Sequence, residues 1–281
     1  MSPQFSLVVA TKGRTSELAR LIASLEEPQG ADFELIIVDQ NDDDRVMSLI
    51  AASPLAPIIV HLRCAVGVSR ARNLGMDHAK GEIIGFPDDD CWYPKDTLAN
   101  IGQWFRENSG YEILTVNSLD ENGVRSCNRW FQDSCDLNRL VVYRASAGYT
   151  IFIRNGGIAS RVRYDEGIGP GADTPYLGGE DSDFVLMAMS KGAKGRFEAK
   201  WHIGHPLKDI RDASVSRERA YIYGLGMGFV QRKHGLWWLA AGLAGFDFTR
   251  AITAYIVGRK EPARLWYRHG RGIVDGFHPQ R

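Results

Sequence analysis

The sequence has no long apolar run. A membrane-spanning helix needs roughly 20 apolar residues, and the nearest stretch, Leu236 to Phe246, is about half that length. Net charge is also missing: 34 lysines and arginines balance 34 aspartates and glutamates. No global basic field draws the chain to nucleic acid, so no nucleic-acid partner is expected. Cysteine is sparse. Cys64, Cys91, Cys127 and Cys135 form no CxxC pair, which excludes a zinc ribbon or a thioredoxin motif. The first apolar run is too short for a signal peptide and no cleavage pattern follows it. A cytoplasmic protein with reduced thiols is therefore expected. Internal repeats and low-complexity tracts are absent. The loop after the first apolar run lacks both GxGxxG and GxxxxGK[ST], which disfavours a dinucleotide dehydrogenase and a P-loop NTPase.

What is present is an ordinary globular composition. Hydrophobic residues make up 44% and charged residues 24%, which rules out collagen-like, coiled-coil and wholly disordered chains. With 281 residues the chain can bury a core without disulfides or metal. That length suggests two domains, or one large α/β domain with an appendage.

The first half alternates strand-like and helix-like segments. Phe5–Val9, Phe33–Val38, Ile58–Leu62 and Glu82–Phe86 read as strands. Ser16–Leu25 reads as a helix with Leu18, Leu21, Ile22 and Leu25 on one face. Gly67–Ala79 reads as another, with Ser69 as its N-cap. This alternation predicts βαβ units and a Rossmann-like parallel sheet with helices on both faces. Farther on, Asn122-Gly123 reads as a hairpin turn and Gly167–Gly171 as a mobile loop. Glu180–Ser190 reads as a helix and Gly195–Ile203 as a strand. From Ser214 onward the chain is helical, with mixed basic and aromatic residues such as Arg217, Arg232, Trp237, Trp238 and Arg250.

The chemistry concentrates in two acidic motifs. Phe86-Pro-Asp-Asp-Asp-Cys-Trp-Tyr-Pro94 places three carboxylates at the end of a strand. Adjacent like charges repel, more so when partly desolvated, and a divalent cation would offset this. In extended backbone Asp88 and Asp90 point to one side and Asp89 to the other, so Asp88 and Asp90 suit one hard ion. A solvated acidic turn with Asp88 capping the next helix is the plainer alternative. Gly178-Gly-Glu-Asp-Ser-Asp-Phe184 puts Glu180 and Asp181 in the first turn of a helix, where simple capping also accounts for acids. Asp39 ends the second strand in a polar cluster that suits a base or an Asx turn. Arg70 and Arg72 open a helix, where cations oppose the dipole and an anionic partner helps. His205 follows a strand downstream of both motifs and is a candidate third metal ligand.

Taken together, VVATKGR, LIIVDQNDDD, GVSRARNLGMDHAKGEIIGFPDDDCW, GGEDSDF and HIGHP resemble the family 2 glycosyltransferases, in the family's order and across about residues 5 to 206. The family's usual Asn-Arg after the first strand is Lys12-Gly13-Arg14 here. The resemblance implies a GT-A fold over residues 1–210. The helical region that follows, 211–281, lies outside the match; its tryptophan, phenylalanine, lysine and arginine content fits a helix on an anionic membrane surface, or a helical appendage packed on the catalytic domain or a second subunit. It also implies an inverting, metal-dependent transfer from a nucleoside-diphosphate sugar to a hydroxyl acceptor, saccharide or lipid-linked, in surface polysaccharide or glycolipid synthesis. By position it assigns Thr11, Arg14, Asp39, Arg72, Asp88 and Asp89 to the nucleotide sugar. Asp88, Asp90 and His205 are assigned to Mn²⁺ or Mg²⁺. Asp181 becomes the catalytic base, and Glu180 and Trp92 bind acceptor. The expected location is cytoplasmic, with peripheral attachment to the inner face of the membrane as the variant. The residues also leave open a sugar-phosphate nucleotidyltransferase and a non-catalytic nucleotide-sugar-binding module.

Overall fold

Apolar alternation in the first half becomes a sheet, and the amphipathic stretches become its cover. The computed structural model describes residues 2–126, 130–207 and 213–278. In chain order these form β1 (Phe5–Thr11), α1 (Ser16–Glu26), β2 (Phe33–Asp39), α2 (Arg45–Ala52), β3 (Ile59–Arg63), α3 (Val68–His78), β4 (Ile83–Gly85) and α4 (Thr97–Glu107). There follow β5 (Ile113–Leu119), β6 (Cys135–Asp136), α5 (Val142–Ala145), β7 (Ile151–Arg154), α6 (Glu180–Ser190) and β8 (Gly195–Gly204). Three helices end the chain: α7 (Ala213–Lys233), α8 (Trp237–Ile256) and α9 (Lys260–Phe277). The chain divides into two compact units. One comprises residues 1–66, 70–164 and 184–208; the other comprises 67–69, 165–183 and 209–281. The domain boundary expected at residue 210 lies outside the described residues, as does Cys127. Among the described residues, Cys64, Cys91 and Cys135 form no disulfide.

The first unit is built on one eight-stranded sheet in the order β3-β2-β1-β4-β7-β5-β8-β6. β1 runs parallel to β2 and β4, β2 to β3, and β5 to β8. The four strands of the first half are parallel, as expected; farther along, β7 inserts antiparallel between β4 and β5, and β6 pairs antiparallel with β8. A parallel return needs a long crossover, usually a helix. Among the described residues, the segment between β5 and β7 carries β6, the four-residue α5 and a 3₁₀ turn at Gly148–Thr150, not a full crossover helix.

Period-two alternation sends β1 residues to opposite faces. Leu7 and Val9 pack with Leu18, Leu21 and Leu25 of α1 and with Leu98 and Ile101 of α4 in the main core. Val8 points the other way, against α3. There Gly75 has no side chain, and a Cβ would overlap the Val8 methyls, so α3 lies close on the sheet. Asn122-Gly123 does form a turn, closed by bridging of Leu119 with Arg125, with Gly123 at φ +74°. Ser69 is not an N-cap. It lies inside α3, and its hydroxyl donates to the Ile168 carbonyl at 2.6 Å.

The second unit holds α7, α8, α9 and the loop 165–183. Gly167–Gly171 forms turns within it, tied by the Gly169 amide to the Tyr176 carbonyl and by Thr174 Oγ1 to the Gly167 carbonyl. α7 and α9 cross with their backbones in contact. A Cβ at Gly224 or Gly228 would overlap α9 backbone at His269 or Ile273, and one at Gly272 or Gly276 would overlap α7 at Tyr221 or Leu225. Among the described residues no helix is long and apolar enough to cross a membrane. Gly228→Leu is expected to force α7 off α9 and cost about 3 kcal/mol by overpacking. Equilibrium denaturation of the full chain tests this, and an unchanged midpoint would refute it.

Candidate active site

The site residues of the first unit are set by strand ends. Thr11 pairs with Asp39 across β1 and β2, and Ala10 bridges to Asp88 just beyond β4. Three neighbouring parallel strands thus end side by side in polar residues. Ligands of open α/β sheets bind in the crevice outside such carboxyl ends.

Beyond β4 the backbone turns, with the Cys91 amide donating to the Asp88 carbonyl at 3.2 Å. The three carboxylates then meet different partners. Asp88 accepts from Arg72 at 3.1 Å. Arg72 is buried, and its guanidinium lies 5.1 Å from the Tyr164 ring centroid. The cation that opposes the α3 dipole therefore answers an acid on the strand. Asp89 accepts from Thr11 Oγ1 at 2.8 Å and from Arg14 at 2.7 Å. The same Arg14 nitrogen donates to Asp90 at 2.6 Å. In these ion pairs two guanidinium groups serve three carboxylates.

His205 completes the cluster through a close backbone approach. Trp92 and Gly204 exchange both backbone hydrogen bonds at 2.9 Å. A side chain at Gly204 would overlap the Trp92 indole, so glycine is required there. This pairing carries the residue after β8 to the acidic turn. His205 Nε2 lies 3.2 Å from Asp90 Oδ1, and the ring stacks on Tyr149 at 4.5 Å between centroids. Tyr149 is held in turn by its hydroxyl, which donates to Ser118. His205 Nδ1 lies 2.7 Å from the Pro206 carbonyl. A carbonyl only accepts, so Nδ1 carries a hydrogen; Nε2 faces Asp90, donating to it when the ring is protonated and presenting its lone pair when the ring is neutral. Lone pair and carboxylate repel unless a positive charge, proton or metal, lies with them.

Asp88, Asp90 and His205 each offer one ligand atom, all within 4.8 Å of one another. Two carboxylate oxygens and an imidazole nitrogen suit Mn²⁺ well and accept Mg²⁺ through the oxygens. The donor set and the Nδ1-tethered histidine therefore fit a divalent cation. The electrostatics divides the acids. Burial raises the Asp89 carboxyl above its ordinary value, although Thr11 and Arg14 oppose this. Burial also pushes Asp90 upward, but His205 and Arg14 outweigh it and leave Asp90 below its ordinary value.

Asp39 is fully buried at the end of β2. Its Oδ1 accepts from the Asn41 amide at 2.9 Å and from Asn41 Nδ2 at 2.7 Å, an Asx turn. Its Oδ2 lies 3.1 Å from His61 Nε2. His61 was not among the residues singled out from sequence. Its signal is a histidine interrupting the apolar run Ile-Val-His-Leu of β3. Arg20 was also missed. It donates to the Asp90 carbonyl at 2.8 Å and lies 4.6 Å from the Trp92 ring. Nothing in the spacing of α1 distinguishes it from a solvated arginine.

Glu180 and Asp181 open α6 and belong to the second unit, preceded by Gly179 at φ +99°. The buried acid of that motif is Asp183, paired with Lys233 at 2.9 Å and His234 at 2.8 Å. Lys233 also reaches Asp165 at 2.7 Å. Asp183 thus works as an internal anchor of the second unit. A cavity of about 380 Å³ in that unit, lined by Arg217, Glu218, Arg264, Tyr267 and Arg268, holds none of the expected site residues.

The sheet ends in an acidic, histidine-bearing cluster, and solved structures share the architecture around it. The TarS 1-349 structure of S. aureus superposes with a TM-score of 0.59 at 14% identity, covering 95% of this chain and 91% of that one. Its complex with UDP-GlcNAc superposes equally well. The chain has the GT-A fold. Residues 6–130 match the family described as Glycosyl transferase family 2. A PGL/p-HBAD biosynthesis glycosyltransferase of Mycobacterium bovis is 29% identical over 161 residues, 55% of this chain and 60% of the relative. The succinoglycan biosynthesis protein ExoO of Rhizobium meliloti is 25% identical over 232 residues, 76% of this chain and 63% of the relative. A GalNAc(5)-diNAcBac-PP-undecaprenol beta-1,3-glucosyltransferase of Campylobacter jejuni is 28% identical over 42% of this chain and 39% of its own. The chain therefore spans under two thirds of the length of these curated relatives.

Asp90 is expected to titrate below 3.8 in the metal-free protein, and His205→Ala to move it upward. Because the native value lies below the unfolded one, the stability this carboxylate contributes is complete above 3.8 and is lost as pH falls through the native value. Carboxyl NMR titration of both proteins measures it, and an Asp90 value indifferent to His205 would contradict the pairing.

Proposed function

We propose that the chain is an inverting glycosyltransferase. It would move a sugar from a nucleoside diphosphate, a UDP-sugar, to a hydroxyl of a saccharide or lipid-linked acceptor. The observation that carries this reading is the convergence of Asp88, Asp90 and His205 beyond β4, with the end of β1 between them and the buried Asp39 at the end of β2. The donor class is supported by the TarS structures with UDP and with UDP-GlcNAc. The acceptor class is supported by the Campylobacter relative, named for an undecaprenol-linked substrate. Relatives named for PGL/p-HBAD and succinoglycan biosynthesis support a role in surface polysaccharide or glycolipid synthesis.

In this reading the chain's own residues bind, orient and move one proton. Asp39, oriented by Asn41 and His61, accepts a hydrogen bond from the base. Thr11, Arg14 and Asp89 form a bonded set that shapes the loop against the nucleotide, and Arg72 lies towards base and phosphates. Asp88, Asp90 and His205 would hold Mn²⁺ or Mg²⁺, which when bound supplies positive charge to the departing diphosphate. Glu180 and Trp92 position the acceptor. Asp181 takes the acceptor hydroxyl proton as the oxygen attacks the anomeric carbon. The new carbon–oxygen bond forms as the bond to the diphosphate breaks, and a single displacement inverts the anomeric configuration. The division at residue 210 belongs to the same reading, with residues 1–210 as the transferase domain and 211–281 as the appended helices.

A thermal-shift screen of nucleotide sugars with and without Mn²⁺ identifies the donor, since a ligand selective for the folded state raises the melting temperature. Asp90→Ala is expected to abolish the Mn²⁺-dependent shift and transfer. Asp181→Asn should lower kcat by about 10²–10⁴ while leaving donor binding intact, as removal of a general base does. Normal turnover in Asp181→Asn would remove that assignment. Pyrophosphate release from a nucleoside triphosphate and a sugar phosphate would replace transfer by nucleotidyl chemistry.

A further inference from the structure

Large exposed apolar side chains in the second unit concentrate on one helix. Trp237, Trp238, Phe246, Ile252, Tyr255 and Ile256 of α8 are all open to solvent, Trp237 at 66% and Ile256 at 76%. Ala240, Ala244, Asp247 and Ala251 form the buried stripe of the same helix. Ala240 and Ala244 cluster with Ile273 of α9, and with Met227, Val274 and Phe277 around them. α8 therefore seats a small-residue stripe, flanked by the half-buried Leu243 and Phe248, against α9 and turns these six bulky residues outward. That is the reverse of ordinary helix burial, in which the large apolar side chains face the core. An apolar face of this extent, along a 20-residue helix about 30 Å long, marks a contact surface.

Charge on and just past this face is predominantly basic. Between Trp237 and Ile256 the only charged residues are Asp247 and Arg250. Asp247 is turned inward and bonded to His269 at 2.5 Å. Arg250 lies over the Trp266 ring at 3.3 Å and near Phe246 at 5.3 Å. The outward face of α8 thus carries no acid. Just past it, Arg259 and Lys260 are exposed. From Phe248 to Arg268 there are five cations (Arg250, Arg259, Lys260, Arg264 and Arg268) and one acid, Glu261.

We propose that the outward face of α8 is a membrane-surface contact that takes an anionic phospholipid bilayer. The helix would lie in the interface plane, with Trp237, Trp238, Ile252 and Ile256 in the acyl boundary and Arg259 and Lys260 at the headgroups. Indole and phenol rings such as those of Trp237, Trp238 and Tyr255 favour that boundary, because one edge is apolar and the other polar. α8 does not span the bilayer, because its small-residue stripe is committed to α9. A second copy of the chain fits less well. It would bring the same cations to a face that has no acid to meet them, whereas an anionic bilayer complements both the apolar face and its basic border. This inference rests on α8 and its border, independently of the transferase reading.

Flotation of the full chain with vesicles of phosphatidylcholine, alone or mixed with phosphatidylglycerol, tests it. Binding to the mixed vesicles, weakened by added salt, is expected, with little binding to phosphatidylcholine alone. Trp238→Ser with Ile256→Ser is expected to reduce binding about tenfold or more, and Arg259→Glu with Lys260→Glu to reduce it on anionic vesicles. All four positions are exposed, and circular dichroism melts report whether the variants fold. As a second readout, brominated lipid should quench tryptophan fluorescence of the unsubstituted chain. That quenching should be largely lost in Trp237→Phe with Trp238→Phe. Absence of flotation, or equal binding by the substituted chains, would overturn the proposal. So would self-association in sedimentation, without vesicle binding, that Trp238→Ser with Ile256→Ser abolishes; that result assigns the face to a second copy.

Discussion

The first unit is organised around one electrostatic constraint: three adjacent carboxylates at the end of a sheet strand, one buried and two half-buried, must be compensated. No single element does this. Arg14 comes from the loop after β1, Arg72 from α3, and His205 from the residue after β8. Each reaches the acids because the sheet order places β1 beside β4 and pairs the segment after β4 with the end of β8. The cluster therefore ties the strand ends together and leaves a donor set that suits one divalent cation. Burying carboxylates raises the free energy of their charged form, and the arrangement offsets that cost with cations, protons or metal.

The close approach of Trp92 to Gly204 shows how backbone pairing serves that constraint. The two backbone hydrogen bonds between them fix where β8 ends, and so where His205 begins. Tyr149 stacks on the imidazole, and the Pro206 carbonyl sets its tautomer. Orientation of a metal-ligating histidine by a backbone carbonyl is the usual outer-shell device, and it needs no further side chain. Asp39 is oriented similarly, by its own Asx turn and by His61. Both acidic stations at the strand ends are thus held by short-range partners.

The second unit obeys a different rule. Its helices are joined by absent side chains. Glycines on α7 and α9 let the backbones touch, and alanines on α8 let that helix seat against α9. Packing through small residues leaves the bulky ones elsewhere, which is why the tryptophans and isoleucines of α8 face outward. The buried Asp183, held by Lys233 and His234, anchors the start of α6 to the end of α7 within this unit. Its neighbours Glu180 and Asp181 remain at the helix N-terminus, where the dipole favours negative charge.

Much of this was legible in the residues. Apolar alternation and amphipathic spacing mark β1, α1, β2, β3, α3 and β4 to within a few residues, because local periodicity reports directly which side of an element is buried. The Asp-Asp-Asp turn, Asp39, Arg72 and the GGED motif stand out because charged residues at strand and helix ends violate the simplest burial pattern. Tertiary structure alone decided the rest. The antiparallel entry of β7 depends on what fills the gap between β4 and β5, not on the local sequence of Ile151–Arg154. Ser69, a plausible cap by its type, bonds to Ile168, 99 residues away. Arg20 and His61 acquire meaning only from the acids the fold brings to them. The basic-aromatic composition from Ser214 onward suits a surface helix, but only the fold decides which face of α8 is buried. Sequence by itself determined which residues carry charge and where elements begin. Only the fold decided which charges meet, because ion pairing and close backbone packing depend on distances between segments that the chain order does not encode.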